Sequence, residues 1–114
     1  MQPKDFDTSV LTQFYQPDGH ERVGFILHNG EPVEVPNGAP FDPDNPRFEV
    51  KPEVMIAHEG TAWATWHTHP GQSGNLSLDD YWAFKNWPGF IHYIVGSDGV
   101  WMFRVDKSGK VLRS

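Results

Sequence analysis

Apolar positions along the chain alternate between two periods. Phe6, Val10, Leu11 and Phe14 recur at near-helical spacing and predict a short helix between Asp5 and Tyr15, closed by the turn Gln16-Pro17-Asp18-Gly19. Val23 to Leu27 is a continuous apolar run suited to a buried strand. Asn29-Gly30 is a hairpin signal, and Pro32 to Pro36 reads as the returning strand, with prolines that suit a sheet edge. Residues Asn37 to Arg47 hold three prolines, two aspartates, two asparagines and a glycine and read as a surface loop. Phe48-Glu49-Val50 alternates like a short strand, and Pro52 opens a helix to about His58, ended by Gly60. Thr61 to His69 is β-rich and stops at Pro70. Ser77 is placed as the N-cap of a helix with Leu78, Tyr81, Trp82 and Lys85 on one side, ended by Asn86-Trp87-Pro88-Gly89. Strands Phe90–Val95 and Val100–Val105 follow, joined by Gly96-Ser97-Asp98-Gly99. A turn at Lys107-Ser108-Gly109 leads to a last strand at Val111-Leu112. This order predicts an α+β fold, a mixed sheet packed by two or three helices, with residues 1–114 as a single domain.

Composition narrows the function. Eight Phe, five Trp and three Tyr supply a core, with Trp63, Trp66, Tyr81, Trp82, Trp87, Trp101 and Phe103 expected there and Trp87 a candidate groove wall. The net charge of -6 argues against a nucleic-acid partner and against a polybasic membrane anchor. Cysteine is absent, which excludes disulfides, thiolate nucleophiles and Cys-ligated zinc. The N-terminus, Met1 to Asp7, lacks the apolar stretch of a signal peptide, and no apolar run is as long as a membrane span. A cytoplasmic location is expected.

Any metal site must therefore use histidine and carboxylates. His67 and His69 stand two apart on a predicted strand, so both rings leave one face, at a strand end expected near solvent. Seven residues separate His69 from Ser77, enough to fold the helix start back over the strand end and bring Asp80 to the two imidazoles. Two imidazoles and a carboxylate, with a fourth position left to water, form the ligand pattern of a catalytic zinc site. Each part also has a structural reading: a His-x-His pair is commonly structural, and Ser77-Leu78-Asp79-Asp80 is a capping box. Ser77 can cap while Asp80 turns to a metal. His20, His28, His58 and His92 carry no comparable pattern; His20 and His28 are expected at the surface.

His67-x-His69-Pro70 followed by Ser77-x-x-Asp80 resembles the signature of the JAMM (MPN-plus) metallopeptidases. Glu21 leading into Val23-Gly24-Phe25-Ile26-Leu27 looks like that family's upstream glutamate element, and Asn37 followed by Phe48-Glu49-Val50 is similar to the spacing in small prokaryotic and phage members. The resemblance implies a cytidine-deaminase-like sandwich. It implies one zinc per chain, held by His67, His69 and Asp80, with Glu21 as general base on the zinc-bound water and Ser77 as oxyanion donor. It further implies a peptidase or isopeptidase that cuts an extended, glycine-containing segment of a peptide or protein, such as a ubiquitin-like or phage tail protein. The setting it implies is phage tail-tip assembly, in a bacterium or phage-infected cell or on the virion. The short span from Glu21 to His67 leaves no room for the insertions with which eukaryotic members grip ubiquitin chains. With no cysteine, the second peptidase domain of many phage members is not expected. A non-catalytic scaffold of the same fold in a tail or other assembly is the alternative.

Overall fold

The computed structural model describes residues 5–44 and 47–114. Residues 1–4 of the N-terminus, and residues 45 and 46 of the expected Asn37–Arg47 loop, lie outside the described residues. Six strands form one mixed sheet in the order β2-β1-β3-β4-β5-β6. They are β1 (Val23–Leu27), β2 (Pro32–Val35), β3 (Ala62–Thr68), β4 (Ile91–Gly96), β5 (Gly99–Val105) and β6 (Val111–Arg113), accompanied by α1 (Pro52–His58) and α2 (Leu78–Asn86). Strands β3 and β4 pair in parallel, and the crossover between them carries α2. The other neighbours are antiparallel. This is the α+β architecture expected from the element order.

Strand β3 is buried along almost its whole length because both faces of the sheet are covered there. On one face Trp66, Ala64, Ile26, Tyr93 and Val95 pack with Phe6 and Leu11. Phe14 stacks on Trp66 with ring centroids 4.1 Å apart. The opposite face holds two apolar clusters, Phe25, Met55, Ala62 and Phe90 beside α1, and Phe84, Ile94 and Phe103 beside α2. A bulge shifts the β1–β3 register between Ile26, paired with Ala64, and Leu27, paired with Ala62. Trp63 is the extra residue, and the bulge turns its ring onto Phe6 and Tyr93 on the Trp66 side.

Gly24 is dictated by close approach. A methyl group there would lie 1.9 Å from the Val33 carbonyl oxygen and 2.7 Å from the Trp66 ring. The indole instead lies flat over the bare backbone and donates from Nε1 to the Phe25 carbonyl at 3.2 Å.

Three expectations need correction. The Asp5–Tyr15 segment is a 3-10 helix, Thr8–Phe14, and not an α-helix; Asp7 caps it through the Ser9 N–H. Its side chains bond carbonyls three residues back, Thr12 Oγ1 to Ser9 at 2.7 Å and Gln13 Nε2 to Val10 at 2.6 Å, in competition with regular α-helical bonding. Phe48-Glu49-Val50 is not a strand. Its backbone is bonded to the neighbouring loop instead, Gly38 N–H to the Glu49 carbonyl at 2.8 Å and Glu49 N–H to the Asn37 side chain at 3.0 Å. Trp82 is not core: it is 56% exposed, because α2 turns Asp80 and Phe84 to the sheet and leaves Leu78 and Trp82 outside.

Gly24→Ala should cost stability at or above the upper end of the ~1–3 kcal/mol typical of overpacked cores, since backbone, not a flexible side chain, blocks the methyl. Urea denaturation of the two proteins measures the difference; equal midpoints would contradict this packing.

Candidate metal centre

Glu21, His67, His69 and Asp80 come together although three separate stretches of chain carry them. Val23 pairs with His67 across β1 and β3. One step upstream the Arg22 N–H donates to Thr68 Oγ1, and the Thr68 N–H donates to the Arg22 carbonyl, both at 2.9 Å. Glu21 is thereby carried to the level of His69. Beyond β3, the His69 N–H donates to the Val95 carbonyl at 2.9 Å and so extends the pairing with β4. The loop after Pro70 is tied down by Asp98, which accepts from Ser73 Oγ at 2.6 Å and from the Gly74 N–H at 2.8 Å. Those bonds hold the Asp98 carboxyl below the usual carboxylate range.

That loop returns the chain to Ser77, which caps α2. Ser77 Oγ accepts from the Asp80 N–H, and the Ser77 N–H donates to Asp80 Oδ2, both at 3.1 Å. The capping box read from the sequence is thus present, and it aims the Asp80 carboxylate at the histidines. Asp80 Oδ1 lies 2.9 Å from His67 Nε2, and Oδ2 lies 3.0 Å from His69 Nε2. The two Nε2 atoms are 3.2 Å apart. Glu21, His67 and His69 each offer a ligand atom within 4.8 Å of the others.

The expectation of a pair near solvent is corrected here: His67 and His69 are 1% and 6% exposed. Phe48 lies over the His67 ring at 4.3 Å, and Phe84 stands edge-on to it at 5.9 Å. Glu21 and Asp80 are buried as well, whereas Ser77 is exposed.

Burial disfavours the Asp80 carboxylate, but the charges and hydrogen bonds of His67 and His69 outweigh it and hold its pKa far below the usual range. Burial likewise opposes a charged His69 ring, yet the contact with Asp80 raises its pKa overall. Glu21 runs the other way: desolvation raises its pKa, and the two imidazoles only partly offset it. Among the described residues no donor hydrogen-bonds the Glu21 carboxylate, so its lone pairs stay available.

The donor set fits a cation. His69 Nδ1–H donates to the Ser73 carbonyl at 2.8 Å, which leaves Nε2 of the neutral ring as a bare lone pair facing a carboxylate. Those two acceptors tolerate each other only with positive charge between them, a second proton on the ring or a metal ion. Neutral imidazole nitrogen, fixed in tautomer by a carbonyl on its other nitrogen, together with carboxylate oxygen, suits zinc.

Two groups position the site in ways the sequence did not reveal, although Asn37 had entered the resemblance as a spacing landmark. The Asn37 amide donates to the Glu21 carbonyl at 2.7 Å and to the Arg47 carbonyl at 3.1 Å, and its oxygen accepts from Ala39 and Glu49 N–H at 2.9 and 3.0 Å. Asn37 therefore fixes both the backbone of Glu21 and the strip that covers His67. Asp98 resembled only a turn residue. The other histidines are accounted for structurally. His20, expected at the surface, is partly buried and donates from Nε2 to the Ala39 carbonyl at 2.9 Å, against Phe41. His58 stacks on Phe25 at 4.1 Å. His92 is buried, stacked on Phe84 at 4.1 Å; it accepts from Thr65 Oγ1 at 2.6 Å and donates from Nε2 to the Trp87 carbonyl at 2.9 Å.

Comparison of the chain with protein-family models and with curated proteins returned no match. The site rests on its own geometry. Among the described residues no helix is long and apolar enough to cross a membrane.

Two outcomes follow. Isothermal titration with zinc should give one site per chain, and His67→Ala, His69→Ala and Asp80→Asn should each weaken it at least tenfold; unchanged affinity in all three variants would reject the site. For His92, burial lowers the pKa to about 3. A ring kept neutral in the fold stabilises it fully above its unfolded pKa of ~6.5, and that contribution is lost as pH falls toward the folded value. Chelator-treated wild type should therefore lose stability more steeply between these limits than His92→Gln, as read from urea midpoints at each pH; parallel slopes would contradict a neutral His92.

Proposed function

We propose that the chain is a zinc-dependent peptidase or isopeptidase of the JAMM type. The observation that carries this reading is the meeting of two imidazoles and one carboxylate within about hydrogen-bonding distance, with a second, unbonded carboxylate beside them. His67, His69 and Asp80 are the proposed ligands and Glu21 the proposed base. A cleft of about 200 Å³ is lined by Glu21, Ser77 and Asp80 together, so the proposed base, oxyanion donor and ligand share one space with solvent access.

A bound zinc ion would supply Lewis acidity and make water a nucleophile near neutral pH. Glu21, whose carboxylate is unbonded among the described residues, would take the proton from the attacking water and return it to the leaving amine. Ser77 Oγ already accepts from the Asp80 N–H, so its own hydrogen is free to donate to the oxyanion. Asn37 holds the Glu21 backbone while the proton moves.

The substrate class we propose is an extended segment of a peptide or protein, with a glycine-containing tail of a ubiquitin-like or phage tail protein as the leading candidate. The motif His67-x-His69-Pro70…Ser77-x-x-Asp80 and this geometry support the family likeness and the zinc, and the phage tail setting rests on the resemblance to small phage members alone.

The test is digestion of an extended peptide library by zinc-loaded protein, with mass spectrometry of the ends. Cleavage should stop with a chelator and persist with thiol reagents. Glu21→Ala should keep zinc and lose activity by a factor of about 10² to 10⁴. Ser77→Ala should lose about 10²–10³ in rate and about 1 kcal/mol of stability through the lost cap. A zinc-loaded wild type that cleaves nothing would leave the scaffold reading in its place.

A further inference from the structure

A second cavity, of about 210 Å³, adjoins the cleft between the sheet and the two helices. Phe48, Glu49 and Ala83 line both spaces, so the two are neighbours with the Phe48-Glu49 strip between them. Val50, Met55, Phe84 and Trp87 make this second cavity apolar. Met55 and Phe84 are buried, whereas Phe48, Val50 and Trp87 keep part of their surface exposed, which makes the space an open recess and not a sealed packing defect.

The two polar side chains deepest in its wall, Thr65 and His92, are paired with each other, while Glu49 and Asn86 stand exposed at its rim. Thr65 Oγ1–H is spent on His92 Nδ1, and His92 Nε2–H is spent on the Trp87 carbonyl. A polar occupant would lose its water and gain nothing from either side chain, while an apolar one loses nothing. The volume is below the ~300–1,000 Å³ of pockets that hold whole small molecules, and it suits one side chain carried in on a longer chain.

We propose that this recess is a specificity subsite that receives a large apolar side chain, of the leucine, methionine or phenylalanine type, from a substrate residue within one or two positions of the scissile bond. The inference rests on the peptidase reading for its position relative to the bond, and on the recess alone for the chemistry of its occupant. The subsite adds a second requirement to the flexible glycine-containing segment, an apolar anchor close to the cut.

Two measurements on the full chain test it. In the first, N-acetyl-leucine methylamide and its glycine and lysine counterparts are titrated into wild type, and the Met55 methyl and Trp87 indole signals are followed by NMR. The leucine compound should shift both signals, and the others should not. In the second, the peptide library is digested by wild type and by Val50→Trp, a variant that fills the recess from a position outside the proposed catalytic groups. Wild type should favour an apolar residue at one fixed position by about ten- to hundredfold over glycine, and Val50→Trp should lose that preference while still cutting the peptides that lack it. An absence of selective NMR shifts, or an apolar preference untouched by Val50→Trp, would overturn the subsite. Selective shifts without any cleavage would uphold the apolar recess and reject the peptidase reading; cleavage with no apolar preference and no shifts would do the reverse.

Discussion

A buried carboxylate is tolerated only where donors and positive charge surround it, and Asp80 is 2% exposed. Its compensation comes from the Ser77 N–H at the start of α2 and from the rings of His67 and His69 at the end of β3. The positive end of the helix adds to it. These partners belong to different elements, so satisfying one side chain fixes where α2 begins relative to the central strand. The β1–β3 register then carries Glu21 to the same place, and Asn37 locks its backbone there.

The two faces of the sheet divide the work. On one, Trp66 lies over Gly24 and under Phe14 in a dense apolar layer. On the other, a line of polar side chains, Thr65, His92, His67 and Asp80, runs between apolar neighbours. His92 is held neutral and fully bonded, whereas His67, His69 and Asp80 crowd acceptors together in a way that calls for a cation. That contrast separates a structural histidine from candidate ligand histidines within one sheet face. The apolar neighbours also keep water from His67 and Asp80, which strengthens the interaction between them.

Most of the strands were legible because they depend on local signals: the apolar run Val23–Leu27, the Asn29-Gly30 turn, the apolar segments after Phe90. The histidine pair and Asp80 were legible for the same reason, since strand parity and a capping box fix their directions within a dozen residues. Glu21 was different. Nothing local marks it, and it meets the histidines only through the pairing of β1 with β3; the resemblance alone singled it out. Asn37 and Asp98 act on distant backbone, so their polar loops gave no sign of it. The depth of the histidines was misjudged because Phe48 covers them from a segment that has strand-like alternation but is bonded to Asn37. The apolar recess joins Phe48 to Trp87 across the fold and has no local signature; only the suggestion of Trp87 as a groove wall touched it.

His67, His69 and Asp80 are the proposed metal ligands, with Glu21 beside them as the proposed base. A crystal structure of zinc-loaded protein, with anomalous scattering recorded at the zinc edge, tests this most directly. The account predicts one strong peak at about 2.0–2.2 Å from His67 Nε2, His69 Nε2 and an Asp80 oxygen, with the Glu21 carboxylate outside bonding distance. A peak elsewhere, or one in which Glu21 replaces Asp80 as ligand, would contradict it.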